Sequence, residues 1–136
     1  LCSACQSLRV VVPEFRFSKN QKRLLNKNSD LTLSIKQAPE ADYDELFSRF
    51  INERHSDGEM YPPDPDKFWN WVSCDWLTPE LLEWRNDHEE LIIVSVVDRT
   101  ADAMSAVYTF FNPDFRRPPK LYGPSDICHI LKSFTQ

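Results

Sequence analysis

Two cysteines near the amino terminus have the spacing of metal ligands. Cys2 and Cys5 are separated by two residues, which suits metal or redox chemistry better than a structural disulfide. A zinc or iron–sulfur site needs four ligands, and the other two cysteines, Cys74 and Cys128, are solitary. The spacing therefore argues against a complete metal site within this chain.

A second string combines an imidazole with a carboxylate. His55-Ser-Asp57-Gly58 lies at the predicted exit of a helix. A neutral histidine is the commonest general base near pH 7. A histidine near a helix C-terminus is also an ordinary stabilising feature, and this structural interpretation is favoured without further context. No nucleophile elbow or serine triad signature accompanies the string.

Positive charge is concentrated in the first quarter of the chain. Residues 1–36 carry seven Lys or Arg and two Asp or Glu, whereas residues 37–136 carry nine Lys or Arg and nineteen Asp or Glu. The overall charge of −5 therefore hides a basic segment. Such a segment is as compatible with a solvated helix face as with contacts to nucleic-acid phosphates. If it binds nucleic acid, binding is expected at this segment only.

Composition predicts one soluble globular domain. The chain has 136 residues, and its longest apolar run, residues 91–97, is far shorter than the roughly 20 residues of a membrane span. Gly58 and Gly123 are the only glycines, which excludes the glycine-rich loops that bind nucleotide phosphates. No export leader is visible, so the expected location is intracellular.

Hydrophobic spacing predicts two helices around the histidine string. An apolar stripe predicts a helix that ends near His55, with a capping-box-like start at Asp42 and a glycine able to take positive φ, Gly58, beyond its end. The stripe consists of Tyr43, Leu46, Phe47, Phe50 and Ile51. Asp64 and Pro65 predict the start of a second helix. Its aromatic residues are expected in the core rather than in a base-stacking platform, and Cys74 is expected to be a small buried hydrophobe.

The remaining elements are predicted to be mostly strands. Residues 9–13 form a β-branched run stopped by proline, and residues 31–35 alternate with period two. Between these two runs, Ser18 is a candidate cap for a short helix. Adjacent antiparallel strands are expected within residues 80–111. Together these elements predict an α+β fold.

Five strings, in order along the chain, resemble the aminoacyl-tRNA-protein transferases of the N-degron pathway. They are residues 2–15, residues 17–31, His55-Ser-Asp-Gly-Glu-Met-Tyr-Pro-Pro63, Ser73-Cys-Asp-Trp76 and Ser105-Ala-Val-Tyr-Thr-Phe-Phe-Asn-Pro113. The Met-Tyr-Pro-Pro form is similar to the bacterial aspartate/glutamate leucyltransferase branch of the arginyltransferase family. The resemblance implies a GNAT-like acyltransferase fold, incomplete here. It also implies transfer of an aminoacyl group, leucine in that branch, from tRNA to the α-amine of proteins with amino-terminal Asp or Glu, which marks them for degradation.

The resemblance also implies roles for individual residues. The catalytic set, which accepts the proton, orients the amine or donates hydrogen bonds, would be His55, Asp57, Ser105 and Tyr108. The substrate-binding set would be Met60, Tyr61 and Asp75. The acceptor-stem phosphates of tRNA would be held by Arg9, Arg16, Lys19, Lys22 and Arg23.

By the same resemblance, the chain divides into three parts and is truncated at both ends. Residues 1–30 would be the remnant of a cysteine-bearing domain with a basic linker, residues 31–115 a partial catalytic domain, and residues 116–136 an atypical proline-rich tail. Transfer itself would need no cofactor. An iron–sulfur cluster or another metal at Cys2 and Cys5 would need ligands that precede Leu1. The expected partners are aminoacyl-tRNA and acidic amino-terminal acceptors in the cytoplasm, with neither membrane nor DNA.

Two other functions stay open. A catalytically inactive fragment could bind tRNA through the basic segment alone. A protein-interaction domain could instead use a tryptophan-rich surface, and it would show no salt-sensitive tRNA binding.

Overall fold

The computed structural model describes residues 9–115 and contains helices and strands in an α+β arrangement, as the sequence predicted. The helices are α1 (Lys19–Lys27), α2 (Tyr43–Arg54) and α3 (Pro65–Val72). The strands are β1 (Thr32–Lys36), β2 (Glu80–Arg85), β3 (Leu91–Arg99) and β4 (Met104–Phe111).

The four strands form one antiparallel sheet in the order β1-β2-β3-β4. Short turns join β2 to β3 and β3 to β4, so the predicted adjacency of strands within residues 80–111 is confirmed. The register places Val96 opposite Tyr108 and Asp98 opposite Ser105, with an irregularity at Val97 between them. The GNAT-like assignment stays a prediction, although an antiparallel sheet of this kind is compatible with it.

Helices α2 and α3 cover one face of the sheet. The predicted stripe of α2 is fully buried, which confirms the helical spacing. Phe47 lies at its centre, where its ring stacks on Phe68 of α3 with centroids 4.5 Å apart and meets Phe110 of β4 edge-on at 5.5 Å. This aromatic contact joins both helices to the sheet in one core.

A second hydrophobic cluster lies on the opposite face of the sheet. It is built from buried residues of β2 and β3, including Leu82 and Ile93. Leu33 and Ile35 of β1 pack against this cluster, as expected for a strand with one buried face. The sheet therefore carries apolar side chains on both faces.

The carboxyl-terminal end of α2 is attached to the turn that follows β4. The Arg54 guanidinium donates a hydrogen bond to the carbonyl oxygen of Pro113 at 2.8 Å. Arg49 forms an ion pair with Asp114, with 2.9 Å between Nη2 and Oδ2. Both arginines thus connect α2 to the end of the sheet.

The segment before β1 differs in part from the sequence prediction. Ser18 caps α1 and forms a full capping box with Gln21, as expected. The strand expected over residues 9–13 is wrong, because the chain forms a 3₁₀ turn at Val12–Glu14 and pairs with no strand among residues 9–115. Pro13 lies in the first turn of that helix, where its missing N–H costs nothing. The division of the chain at residue 30 stays a prediction.

Candidate functional site

The histidine string lies where α2 ends. His55 is the C-cap residue, and its exposed imidazole lies against Phe50 with ring centroids 4.9 Å apart. Its carbonyl oxygen accepts a hydrogen bond from the amide of Gly58 at 3.0 Å, and Asp57 is exposed within the resulting turn. Gly58 does not take the positive φ that was expected, so this turn closes without a left-handed residue. His55 and Asp57 therefore share one turn, and both are exposed within residues 9–115.

Two predicted substrate-binding residues follow directly. The amide of Tyr61 donates to the carbonyl oxygen of Gly58 at 3.1 Å, which continues the turn, and the phenol ring of Tyr61 is about half exposed. Met60 is partly buried and packs against the helix-side core. The loop thus exposes the Tyr61 ring to solvent and places the Met60 thioether against the core.

Tyr108 lies near the middle of β4, against α3. Its ring centroid lies 5.4 Å from that of Phe68 and 6.4 Å from that of Trp71, which it meets edge-on. A tyrosine hydroxyl is ordinarily protonated at neutral pH, and burial raises the pKa of Tyr108 further. Tyr108 is therefore a hydrogen-bond donor at the junction of α3 and the strand.

The other predicted site residues lie at separate places. Ser105 is exposed near the start of β4, and Asp75 is exposed in the turn after α3. Tyr108 contacts α3. His55 instead contacts Phe50, and the Phe50 ring contacts Phe111 at the end of β4. Within residues 9–115, no hydrogen bond, ion pair or ring contact joins His55 or Asp57 to Ser105 or Tyr108. The catalytic roles of all four stay predictions.

The aromatic helix divides between core and surface. Phe68 and Val72 are buried, as expected, but Trp71 is 59% exposed. The amphipathic spacing of α3 explains this difference, because Trp71 is one residue short of the buried position held by Val72. Cys74 also differs from the expectation: it is exposed beyond the end of α3, where its thiol donates to the carbonyl oxygen of Leu77.

A buried carboxylate that the sequence analysis did not identify lies on β2. Glu83 is only 3% exposed, and it accepts hydrogen bonds from the Tyr43 hydroxyl at 2.8 Å and from Arg85 at 3.1 Å. Lys36 lies 3.7 Å away on β1. A buried charge is costly unless it is paired and hydrogen-bonded, and Glu83 meets both conditions. The signal for it was an acid inside an otherwise apolar strand.

Arg85 joins this carboxylate to the start of α2. Its two terminal nitrogens contact both oxygens of Asp42, at 2.8 and 3.1 Å, and it also donates to the carbonyl oxygen of Glu89. The expected capping role of Asp42 is therefore wrong, since its side chain makes no cap hydrogen bond and is held by Arg85. We call Lys36, Asp42, Tyr43, Glu83 and Arg85 the β2 ion network.

The predicted tRNA-binding residues are exposed. Arg9 precedes the 3₁₀ turn, Arg16 donates to the carbonyl oxygen of Pro13, and Arg23 donates to Asn20 one turn earlier. Lys19 and Lys22 form no ion pair with any of residues 9–115. No residue of α1 is fully buried. Lys19 and Lys22 are therefore available to an anionic partner.

The metal prediction falls on residues that the structure does not describe. Cys2 and Cys5 lie outside residues 9–115. Among the described residues, no group of three or more His, Cys, Asp or Glu side chains is placed to hold a metal ion. No helix in the same part of the chain is long and apolar enough to cross a membrane.

Comparison with known proteins identifies the family. Residues 42–121 match the model of the family described as "Arginine-tRNA-protein transferase, C terminus". The chain belongs to this family. The match begins at the residue before α2 and covers α2, α3, β2, β3 and β4, so it includes the histidine string, Tyr108 and most of the β2 ion network. It confirms the resemblance.

Curated relatives agree with the family. The chain is 44% identical over 112 residues to "Aspartate/glutamate leucyltransferase" of Pseudoalteromonas atlantica, covering 82% of this chain and 48% of the relative. It is 42% identical over 114 residues to the protein of that name in Vibrio parahaemolyticus, covering 84% and 49%. Identity is 44% over 112 residues with that of Aeromonas salmonicida, covering 82% and 47%. The chain spans about half the length of the curated relatives that it matches.

Proposed function

We propose that this chain is part of a tRNA-dependent aminoacyltransferase that moves leucine to the α-amine of proteins beginning with Asp or Glu. The supporting observation is its similarity to proteins named aspartate/glutamate leucyltransferase, at 42 to 44% identity over most of the chain. The family description supplies the donor class, a charged tRNA. The product would carry a new amino-terminal leucine that marks it for degradation in the N-degron pathway. Because the donor would be a charged tRNA, we expect the reaction to take place in the cytoplasm.

The chemistry needs no covalent nucleophile, since the aminoacyl ester is already activated. The α-amine of the acceptor attacks the ester carbonyl carbon, the bond to the terminal ribose oxygen breaks, and an amide forms. The acceptor ammonium must first lose a proton, and the departing ribose oxygen must gain one. Catalysis then depends on orientation, proton transfer and stabilisation of the oxyanion.

The exposed turn after α2 is suited to the proton transfer. His55 or Asp57 would accept the proton of the incoming amine or orient it, because both are exposed at the end of a helix that is fixed to the sheet. Tyr108 and Ser105 would donate hydrogen bonds from β4. Met60, Tyr61 and Asp75 would contribute to the substrate pocket, as the resemblance implies.

Direct transfer is the test. The chain is incubated with leucyl-tRNA and a peptide beginning with Asp, and the expected product is the peptide extended by leucine, detected by mass spectrometry. A peptide beginning with Ala is the matched control and should stay unmodified. Arginyl-tRNA in the same assay distinguishes the two donors, with leucine expected. Absence of leucine transfer would contradict the activity of this chain.

The exposed cations of α1 support a narrower candidate, a tRNA-binding fragment without catalysis. Replacing Lys19, Lys22 and Arg23 with alanine is expected to weaken tRNA binding and to flatten its salt dependence. Each lost phosphate contact changes the slope of log K against log salt by roughly 0.7 to 0.9, so the triple variant should lose about two to three units. Filter binding from 50 to 200 mM salt measures this slope.

Lys67 on α3 provides the control for this measurement. It is an exposed lysine on another helix, so Lys67→Ala removes one positive charge without touching α1. The slope should then stay at the wild-type value. Equal slopes for the wild type and the triple variant would show that α1 does not contact tRNA. Binding without transfer would select the fragment over the enzyme.

A further inference from the structure

Three aromatic rings form a corner between α3 and β4. Phe68 is buried and contacts both of the others, at 6.1 Å from Trp71 and 5.4 Å from Tyr108, while Trp71 and Tyr108 meet at 89°. We call these three residues the aromatic corner. Single exposed apolar residues are ordinary on protein surfaces. Trp71 differs because a buried ring and a strand residue hold it in place while most of its surface faces solvent.

The Tyr108 hydroxyl gives the corner a polar group. The other tyrosine that contacts α3, Tyr43, donates its hydroxyl to Glu83. No residue between 9 and 115 accepts a hydrogen bond from Tyr108, so its protonated hydroxyl is available to a ligand. A planar group stacked on Trp71 would come within reach of this donor, because the two rings are adjacent.

Charge distinguishes this corner from α1. The α3 helix and its flanking turns carry three acids, Asp64, Asp66 and Asp75, against the single base Lys67. A phosphodiester chain is disfavoured beside such a surface. The terminal nucleoside of a charged tRNA suits it better than the rest of the polynucleotide, since its esterified amino acid brings a positive α-ammonium and only one phosphate joins it to the preceding nucleotide. The basic and acidic surfaces thus complement different parts of a charged tRNA.

We propose that the aromatic corner binds the terminal aminoacyl-adenosine of the donor tRNA. The adenine stacks on Trp71, the Tyr108 hydroxyl donates to a ring nitrogen or ribose oxygen, and the acidic surface formed by α3 and its flanking turns attracts the α-ammonium. This assignment rests on the proposed function and adds the position of the reacting end of the donor. Every base has a π face, and base–aromatic stacking contributes roughly a 5- to 150-fold gain in affinity.

A stable analogue tests the proposal without the need for transfer. The probe is 3′-leucylamido-3′-deoxyadenosine, in which an amide replaces the ester, and its binding is measured by titration calorimetry. Trp71→Ala should weaken binding about 5-fold or more, Trp71→Phe should retain most of the affinity, and Tyr108→Phe should weaken it by about 2- to 10-fold. Circular dichroism of each variant reports whether the domain stays folded.

Trp76→Ala is the matched control. Trp76 is 81% exposed and lies beyond the end of α3, so its loss should leave analogue binding unchanged. Analogue affinity that is equal in the wild type and in a folded Trp71→Ala variant would overturn the proposal. So would a Trp71→Ala effect confined to the KM of the acceptor peptide, which would assign the corner to the acceptor. Leucine transfer from intact tRNA without analogue binding would reject the aromatic corner as the binding site and leave the proposed function standing. Analogue binding without leucine transfer would support the aromatic corner and contradict the proposed function.

Discussion

Replacing Arg85 with alanine is expected to lower the free energy of unfolding by about 3 to 5 kcal/mol. The substitution leaves Glu83 buried without its main partner and releases Asp42 at the start of α2. A domain of this size is stable by roughly 5 to 15 kcal/mol, so the loss is a large share of the total. Urea denaturation followed by circular dichroism measures it.

Two comparison variants separate the buried charge from the loss of an arginine. Arg49 pairs with Asp114 at the surface, so Arg49→Ala should cost only about 1 kcal/mol or less. Combining Glu83→Gln with Arg85→Gln removes both charges, and this double variant should be more stable than Arg85→Ala. A cost for Arg85→Ala no greater than that for Arg49→Ala would show that the β2 ion network contributes little.

Acidification provides a second measurement on the same network. Hydrogen bonds from Arg85 lower the pKa of Asp42. Burial raises the pKa of Glu83, but hydrogen bonds from Arg85 and Tyr43 outweigh it and leave that pKa below its ordinary value. Carboxyl groups of this kind stabilise the fold above their unfolded pKa, and the stability is lost as pH falls through the folded pKa. The wild type should therefore lose stability below about pH 4, and Arg85→Ala should show a shallower dependence.

Replacing Phe47 with alanine is expected to have an effect of similar size. Phe47 is 1% exposed and contacts both Phe68 and Phe110, so its removal opens a cavity where α2, α3 and β4 meet. Truncating a buried phenylalanine costs about 3 to 5 kcal/mol. The urea midpoint should fall accordingly, and part of the population should be unfolded at 37 °C.

A conservative variant keeps this prediction testable where Phe47→Ala does not fold. Phe47→Leu retains most of the side-chain volume and should cost roughly 1.5 kcal/mol or less. Trp76→Ala removes an exposed aromatic ring of larger size and should stay within about 0.5 kcal/mol of the wild type. Equal costs for Phe47→Ala and Trp76→Ala would contradict the position of Phe47 in the core.

The sequence predicted the elements whose own periodicity determines them. The apolar stripe of α2 repeats with the helical period over more than two turns, and its residues are buried together. The strand over residues 9–13 failed for a physical reason. A β-branched run forms a strand only where another strand offers it hydrogen bonds, and none of the described strands pairs with it.

The candidate site was less accessible from sequence, because it depends on contacts between distant residues. The spacing of β2 places an acid within an apolar run, but it does not reveal that Tyr43, 40 positions earlier, donates to that acid. The exposure of Trp71 was likewise missed. Tryptophan is highly buried on average, so its residue type alone predicts burial. Whether Trp71 faces solvent depends instead on how the short helix α3 is rotated about its axis against the sheet.

Because α2 is attached at both ends, the position of His55 does not depend on the loop that follows it. Arg85 holds the helix start to β2, and Arg54 with Arg49 holds its end to the turn after β4. The position of the His55 backbone is then set by side chains that lie outside residues 56–64. Substitutions in that loop at positions other than Asp57, Met60 and Tyr61 should therefore leave the backbone that carries His55 in place.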